Sequence, residues 1–238
     1  ALVSPAGFVS TCKAHMLSPR GRCHTFDASA DGYVRAEGSC GIVIQGMDHA
    51  TVTGVASTAV NQDGRTANLT SPNGPAQQRV ILRALQSAAI QPSSVPLLDS
   101  HGTGTALGDP IEVSAQRAVL GASRSSSVPL VTGAVKSSLG HLEAGAGLVG
   151  VLKVALVLHQ SEAVPNQHFQ RLNPYIDVQG YALVLPSGLI NLQESRLSGV
   201  AGVSSFGFGG TNSHTVLRHM LPSGKGMRLG KASVVHYK

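Results

Sequence analysis

The stretch AVKSSLGHLEAGAGLVGVLKVALVL, which runs from Ala134 to Leu158, contains the signals that decide the fold. The apolar run Pro129–Val135 (PLVTGAV) at its start predicts a buried β-strand. A polar turn follows at residues 136–140, and His141 then precedes a long helix rich in glycine and alanine. Open α/β sheets present reactive groups where a strand ends in a turn before a helix. We therefore predict an α/β fold with a functional site at this strand end.

Lys136 and His141 are candidate functional residues because of where this helix begins. The first turn of a helix has unpaired N–H groups and a partial positive charge, which disfavours imidazolium. A neutral imidazole there can donate a hydrogen bond to a developing oxyanion, and Lys136 would add positive charge nearby. A surface lysine and a capping histidine explain this stretch equally well when it is taken alone.

A second stretch repeats the same arrangement. The apolar run Val95–Leu98 predicts a strand, and the loop His101–Thr105 (HGTGT) follows it after two residues. Asp109 as N-cap, Pro110 at the first helical position and Glu112 at the third predict a helix start. Two histidines in glycine-containing loops at two strand ends favour one shared pocket.

A third stretch, VSSFGFGGTN from Val203 to Asn212, predicts a tight loop around Phe208. Glycine permits positive φ and a close approach of the backbone, so N–H groups of this loop can face a ligand. The spacing differs from the G-x-G-x-x-G fingerprint, which argues against dinucleotide binding.

Together these stretches resemble the β-ketoacyl synthase family, and specifically the ketosynthase domains of polyketide synthases. Five motifs occur in the order and at roughly the spacing of that family. They are MLSPRGRCHTFDASADGYVRAEG (residues 16–38), AVNQDGRTANLTSPNGPAQ (59–77), HGTGTALGDPIEV (101–113), VKSSLGHLEAGAG (135–147) and SSFGFGGTNSH (204–214).

The resemblance implies the thiolase-like fold, which is layered α-β-α-β-α, has two similar halves and is usually a homodimer. This chain would supply mostly the C-terminal half. Residues 1–45 are interpreted as the end of the N-terminal half and residues 46–221 as the C-terminal half. Residues 222–238 are interpreted as a basic, loosely ordered tail. Outside the motifs, the apolar patterns predict helices at Pro75–Ala89 and Pro110–Leu120, and strands at Cys40–Gln45, Thr51–Ala56, Tyr181–Leu185, Gly199–Ser205 and Thr215–Leu217.

The resemblance also implies a role for each site residue in a decarboxylative Claisen condensation with malonyl-acyl carrier protein. His101 and His141 would contact the malonyl carbonyl or its enolate, and Lys136 would hold the loop. The backbone N–H of Phe208 would supply half of the oxyanion hole, with Gly209 beside it. Thr103, Thr105 and Phe206 would line the channel. No metal and no covalently bound cofactor is expected, since phosphopantetheine of acyl carrier protein carries the substrates.

The nucleophile of the family is missing from this sequence. The family places a cysteine in a Thr-Ala-Cys-Ser-Ser turn, and Cys12, Cys23 and Cys40 lie in other contexts. The chain is therefore a fragment of a ketosynthase, one half of a split enzyme completed by a partner chain, or a non-catalytic interaction or scaffold subunit. In each case we expect the isolated chain to be inactive in condensation, and either insoluble or partner-bound.

Composition narrows the classes of function and the cellular locations that remain. The chain has 238 residues with a net charge of +6, and its basic residues are scattered, which argues against nucleic-acid binding and suits an acidic protein partner or a phosphate-bearing ligand. The sequence contains no uninterrupted apolar run of membrane-spanning length and no secretory signal pattern. Three cysteines without metal-ligand spacing indicate reduced thiols and a cytoplasmic location.

Overall fold

A computed structural model describes residues 5–46, 53–66, 71–122, 124–192 and 199–220. Strands and helices alternate through most of this length. In chain order the elements are α1 (Pro5–Lys13), β1 (Thr53–Gln62), α2 (Gly74–Ser87), β2 (Leu97–Asp99), α3 (Gly108–Leu120), β3 (Leu130–Gly133), α4 (Lys136–Leu139), α5 (Ala146–Gln160), β4 (Glu162–Ala163), β5 (Leu183–Val184), β6 (Ile190–Asn191), β7 (Val200–Phe206) and β8 (Thr211–His219). Short 3₁₀ turns occur at Pro92–Ser94 and Glu143–Gly145.

One six-stranded sheet organises the described residues, and its strand order is β1-β8-β7-β2-β3-β5. The β7, β2, β3 and β5 strands are parallel neighbours, whereas β8 runs antiparallel to both β7 and β1. Strands β4 and β6 form a separate antiparallel pair. This mixture confirms the α/β class.

Helices cover both faces of the sheet and produce two apolar cores. The core beneath α2 and α3 contains Leu98 and Val216, and the core beneath α5 contains their sequence neighbours Leu97 and Leu217. Neighbouring residues in a strand point to opposite faces, so strands that are apolar throughout are buried on both sides. The result is a helix–sheet–helix arrangement, which is three of the five layers of a thiolase-like fold.

Helix α5 lies unusually close to the sheet because of its glycines. A Cβ atom on Gly150 would lie 3.0 Å from both Asp99 Oδ2 and Val203 Cγ1, and one on Gly147 would lie 3.2 Å from Ser205 Oγ. The sequence predicted this tight packing, but only one face of the helix is buried. Leu156 on the opposite face is 62% exposed. By length and composition alone, Glu143–Gln160 would also pass as a membrane-spanning segment, which is weak evidence because the sheet covers one face of it.

Several element boundaries differ from the sequence-based predictions. The predicted strand at Cys40–Gln45 is wrong: the described residues 40–46 form no strand and Val43 is 86% exposed. Among the described residues no strand pairs with this run, and a strand needs such a partner. The β1 strand also extends beyond its predicted end at Ala56, through Gln62. The predicted basic tail, residues 222–238, lies outside the described residues.

His214 on β8 is a buried histidine that should make the stability of the core depend on pH. Its ring is 1% exposed, its Nδ1 lies 2.9 Å from the Ser204 hydroxyl, and burial lowers its pKa to about 4. The unfolded chain therefore binds a proton that the folded chain excludes, and stability falls as the pH drops from about 6.5 towards 4. Over that pH range, the titration of His214 lowers the free energy of unfolding by about 3 kcal/mol.

We therefore expect His214→Asn to make the thermal midpoint of the protein less sensitive to pH between 8 and 5, because asparagine can still accept from Ser204 but does not titrate. His159→Asn, on the exposed end of α5, is the matched control and should leave that dependence unchanged. An unaltered dependence in the His214 variant would contradict the assignment.

Candidate active site

The candidate site residues come from loops at the carboxyl ends of three adjacent parallel strands. His101 follows β2, Lys136 and His141 follow β3, and Phe206 ends β7. Because parallel strands end at the same edge of a sheet, these loops meet there. The ring centroids of His101 and His141 are 5.7 Å apart, and the ring of Phe206 also lies 5.7 Å from His101. The predicted shared pocket therefore exists as a geometric arrangement.

The tautomer of His101 follows from its hydrogen bonds. The backbone N–H of Phe206 donates to His101 Nδ1 at 3.2 Å, so Nδ1 is the unprotonated nitrogen. Burial and the nearby Lys136 hold the pKa of His101 well below its usual value. The ring is therefore neutral, and its proton is on Nε2.

His141 has the same tautomer for an equivalent reason. The backbone N–H of Glu143 donates to His141 Nδ1 at 2.8 Å, which leaves the proton on Nε2. Burial first, and then the charge of Lys136, lower the pKa of His141 to about 4. The expected neutral state is supported, but the expected cause is not: α5 begins at Ala146, and a 3₁₀ turn separates it from His141.

Lys136 is a buried cation that links the two loops. It is 2% exposed, and its Nζ donates to the backbone oxygen of His101 at 2.7 Å. Burial lowers the pKa of the ammonium, while the carboxylates of Asp99, Glu112 and Asp109 act in the opposite direction. A surface lysine is therefore excluded, and Lys136 holds the His101 loop by a direct bond.

Two carboxylates of α3 hold the same loop from its other side. Glu112 accepts from the N–H groups of His101 and Gly102 at 2.7 and 2.8 Å. Asp109 accepts from Gly104 N–H at 3.1 Å and from Phe26 N–H at 2.7 Å. Asp109 was expected to cap a helix that begins at Pro110, but α3 begins two residues earlier, at Gly108, and this side chain instead joins two loops.

The glycine loop after β7 forms a tight turn. The N–H of Gly207 donates to the Thr211 oxygen at 2.7 Å, and that of Gly210 donates to the Gly207 oxygen at 2.9 Å. Within the described residues, the N–H groups of Phe208 and Gly209 have no hydrogen-bond partner. Free backbone N–H groups of this kind can donate to an oxyanion.

These loops enclose a cavity of about 150 Å³ that both histidines line. Thr103 and Thr105 also line it, and their hydroxyl oxygens lie 3.2 Å apart. Phe206 and Phe208 form part of the same wall, while Gly209 is not among the lining residues. An adjoining cavity of about 420 Å³ extends from the histidines towards α1.

Sequence reasoning missed Asn212, which lines the smaller cavity and is 1% exposed. Its Nδ2 donates to Asp63 Oδ1 at 2.7 Å and to Asn61 Oδ1 at 3.1 Å, and the N–H of Asp63 donates to the Gly210 oxygen at 2.9 Å. This network ties the glycine turn to the end of β1. An asparagine directly after a glycine loop was the available signal. Tyr33 was missed as well, and its ring centroid lies 4.9 Å from that of His141.

None of the three cysteines has the setting of a nucleophile. Cys23 is buried, its sulfur accepts from the Val34 N–H at 3.3 Å, and burial raises its pKa. Cys12 is exposed on α1 and Cys40 is partly exposed, and neither lines the two cavities at the histidines. Among the described residues, no cluster of histidine, cysteine and carboxylate side chains has the arrangement of a metal site.

Comparison with known families agrees with this geometry. Residues 50–170 match the family model described as β-ketoacyl synthase, C-terminal domain, and residues 1–50 match the model for the N-terminal domain. The chain therefore belongs to the β-ketoacyl synthase family, as part of a ketosynthase domain of the polyketide synthase type with a thiolase-like fold.

Individual relatives show the same relationship. One polypeptide of the phenolphthiocerol/phthiocerol polyketide synthase of Mycobacterium tuberculosis H37Rv is 43% identical over 91% of this chain, which spans 12% of that protein. A hybrid PKS-NRPS synthetase of Aspergillus niger is 41% identical over 90% of the chain, which spans 6% of it.

Solved ketosynthases share the fold. The oxazolomycin ketosynthase domain of Streptomyces albus JA3453 has a TM-score of 0.86 at 33% identity, and the chain covers 41% of it. The ketosynthase from module 6 of the bacillaene synthase of Bacillus subtilis 168 has a TM-score of 0.87 at 31% identity, with the same coverage. The chain thus spans less than half of a complete ketosynthase structure.

Proposed function

We propose that this chain is the C-terminal part of a ketosynthase that performs decarboxylative Claisen condensation. The observation that carries the proposal is the shared tautomer of His101 and His141, which places two Nε2–H donors beside one cavity. A second cluster of donors, the N–H groups of Phe208 and Gly209, lies on the turn at the same strand ends. The reaction forms two oxyanions, the enolate and the tetrahedral intermediate, and each of these two groups of donors would stabilise one of them.

In the first step, the malonyl thioester carbonyl accepts hydrogen bonds from the two Nε2–H groups. The bond to the carboxylate breaks, carbon dioxide leaves, and the electron pair forms an enolate whose oxygen these donors stabilise. Neutral histidines suit this task because they donate without losing a proton. Lys136 contributes positive charge and keeps both rings neutral by lowering the pKa of each.

In the second step, the enolate carbon attacks an acyl thioester on the nucleophilic cysteine. The tetrahedral oxyanion accepts from the N–H groups of the Phe208 turn, and it collapses with release of the thiolate. Thr103, Thr105 and Phe206 line the route of the carrier arm. Acyl carrier protein as partner, a dimeric whole enzyme and a cytoplasmic location belong to the same proposal.

The cysteine and the rest of the domain must come from another part of the polypeptide or from a partner chain. Two exposed apolar regions mark where it would pack: residues 42–44, and the outer face of α5 around Leu156 together with Leu139 at the end of α4. The second region borders an apolar groove of about 410 Å³. Such surfaces are sites of association in soluble proteins.

The decisive experiment supplies the missing part. The chain is co-expressed with an N-terminal ketosynthase portion that contains a Thr-Ala-Cys-Ser-Ser turn, and the complex is given an acyl thioester and malonyl-acyl carrier protein. We expect acyl loading of the cysteine by intact mass and a β-ketoacyl product, with neither in the matched Cys→Ser partner. A stable complex that loads acyl groups but neither decarboxylates nor condenses would favour the alternative, a non-catalytic scaffold subunit.

Leu156 offers a test of the assembly surface. We expect Leu156→Asp to improve the solubility of the isolated chain and to weaken its association with the N-terminal portion at least tenfold, because a carboxylate would be buried without a partner. Leu107→Asp, also at an exposed leucine but outside that groove, is the matched control. Equal co-purification of both variants would exclude α5 as the contact surface.

A further inference from the structure

Arg35 and Glu143 form a two-pronged ion pair beside His141. Nε of Arg35 donates to one carboxylate oxygen at 2.5 Å, and Nη2 donates to the other at 3.0 Å. The arginine side chain is 4% exposed and the glutamate side chain 32%. A bidentate arginine–carboxylate pair fixes orientation as well as distance, which a single-point contact does not.

Glu143 is also the residue whose backbone N–H determines the His141 tautomer, through the 2.8 Å bond to Nδ1. Its φ of +53° lies in the left-handed region, which non-glycine residues occupy only when their surroundings hold them there. The side-chain bond to Arg35 is such a restraint. The carboxylate and the amide of one residue thus connect the arginine to the imidazole.

Arg35 is in turn fixed on two sides. Its backbone forms an isolated β-bridge with His141, and beside that bridge the His141 N–H donates to the Val34 oxygen at 2.7 Å. Its guanidinium carbon lies 4.4 Å from the centroid of the Phe8 ring on α1. A Cβ on Gly7 would lie 3.0 Å from both terminal nitrogens, so the helix leaves room for this one side chain.

We propose that Arg35 and Glu143 are positioning residues, whose ion pair holds the Glu143 N–H against Nδ1 of His141 and so keeps the imidazole proton on Nε2. Its importance for the reaction rests on the proposed condensing function, whereas the tautomer itself can be measured without activity. Neither residue lines the smaller cavity at the two histidines, and Glu143 reaches only the adjoining larger one, so both act through His141.

The first test is ¹⁵N NMR of histidine-labelled whole ketosynthase at pH 8, with His141→Asn used to assign the signal. We expect His141 to show a bare Nδ1 and a protonated Nε2. In Arg35→Met the Nδ1–H tautomer should appear beside it. Arg20→Met, which breaks the more exposed Arg20–Asp31 pair at 2.9 Å, is the matched control and should leave the signal unchanged.

The second test is the pH dependence of malonyl decarboxylation. The charged and titratable groups facing His141 are Tyr33, Arg35, His101, Lys136 and Glu143. In Arg35→Met the carboxylate of Glu143 loses its partner and should stabilise imidazolium. The acid limb of the pH profile, where the rate falls as His141 protonates, should then move to higher pH. Glu143→Gln should move that limb to lower pH. The double variant should return towards the wild-type limb, which a merely structural role would not produce.

We expect Arg35→Met to lower kcat roughly ten- to a hundredfold with little change in KM, since the ring is misplaced but the cavity remains. An unchanged His141 tautomer in Arg35→Met, or acid limbs that move in one direction in both single variants, would overturn the proposal. If the tautomer responds as expected but the wild-type protein releases no carbon dioxide, the positioning role stands and the condensing function is wrong.

Discussion

Replacement of His141 by alanine in the whole ketosynthase should slow malonyl decarboxylation roughly 10²–10³-fold, the usual effect of removing one oxyanion donor. The reason is geometric: its Nε2–H is one of two donors that face the cavity, and Glu143 holds it there. The rate is measured as carbon dioxide released from malonyl-acyl carrier protein.

His101→Ala should have an effect of the same size, and the double variant should lose less than the product of the two, because the histidines act as a unit. His159→Ala, at the exposed end of α5, is the control and should retain the full rate. A loss of less than tenfold in both single variants would mean that the enolate is stabilised elsewhere.

Replacement of Lys136 by methionine should lower the free energy of unfolding by roughly 1.5–3 kcal/mol, the usual effect of losing a charged hydrogen bond in a buried site. The substitution nearly keeps the length of the side chain but removes the positive charge that acts on the buried Glu112 and Asp99, of which Asp99 keeps its bond to Lys153. It also removes the bond to the His101 oxygen. Chemical denaturation of the whole ketosynthase measures this loss.

The same substitution should move the acid limb of decarboxylation to higher pH. Lys136 lowers the pKa of His101 and of His141, so its removal raises both and lets the rings protonate nearer neutrality. Lys153→Met removes another partly buried lysine, bonded to Asp99 at 2.6 Å, and should cost stability without moving the limb. If neither the limb nor the stability responds to Lys136→Met, the lysine is not the charge that tunes the site.

The motifs allowed the site to be predicted because each contains reactive side chains and directly follows an apolar run that indicates a strand. His101, Lys136 and His141 converge as expected, since each follows a parallel strand that is apolar throughout. The cavity position of Thr103 and Thr105 agrees with the expected channel, although their role in it stays a prediction.

Other features depended on contacts between distant residues and had no local signal. The run at 42–44 is as apolar as a strand, yet a strand also needs a neighbour to pair with, and no strand of the described residues pairs with this run. The neutral state of His141 was expected from a helix dipole but arises from burial and Lys136. The pairing of Arg35 with Glu143 spans 108 positions of sequence, which no periodicity in either segment announces.

The network around Asn212 has a consequence for how this domain can vary. Because its amide joins the glycine turn to Asp63 and Asn61, the turn cannot shift without disturbing the end of the β1–β8 pairing. The free N–H groups of the turn are thus tied to the longest strand pairing of the sheet, whereas the larger cavity is bounded on its α1 side by a helix without buried residues. Under the proposed condensing function, we therefore expect a change of acyl chain to be accommodated by replacing side chains on that helix.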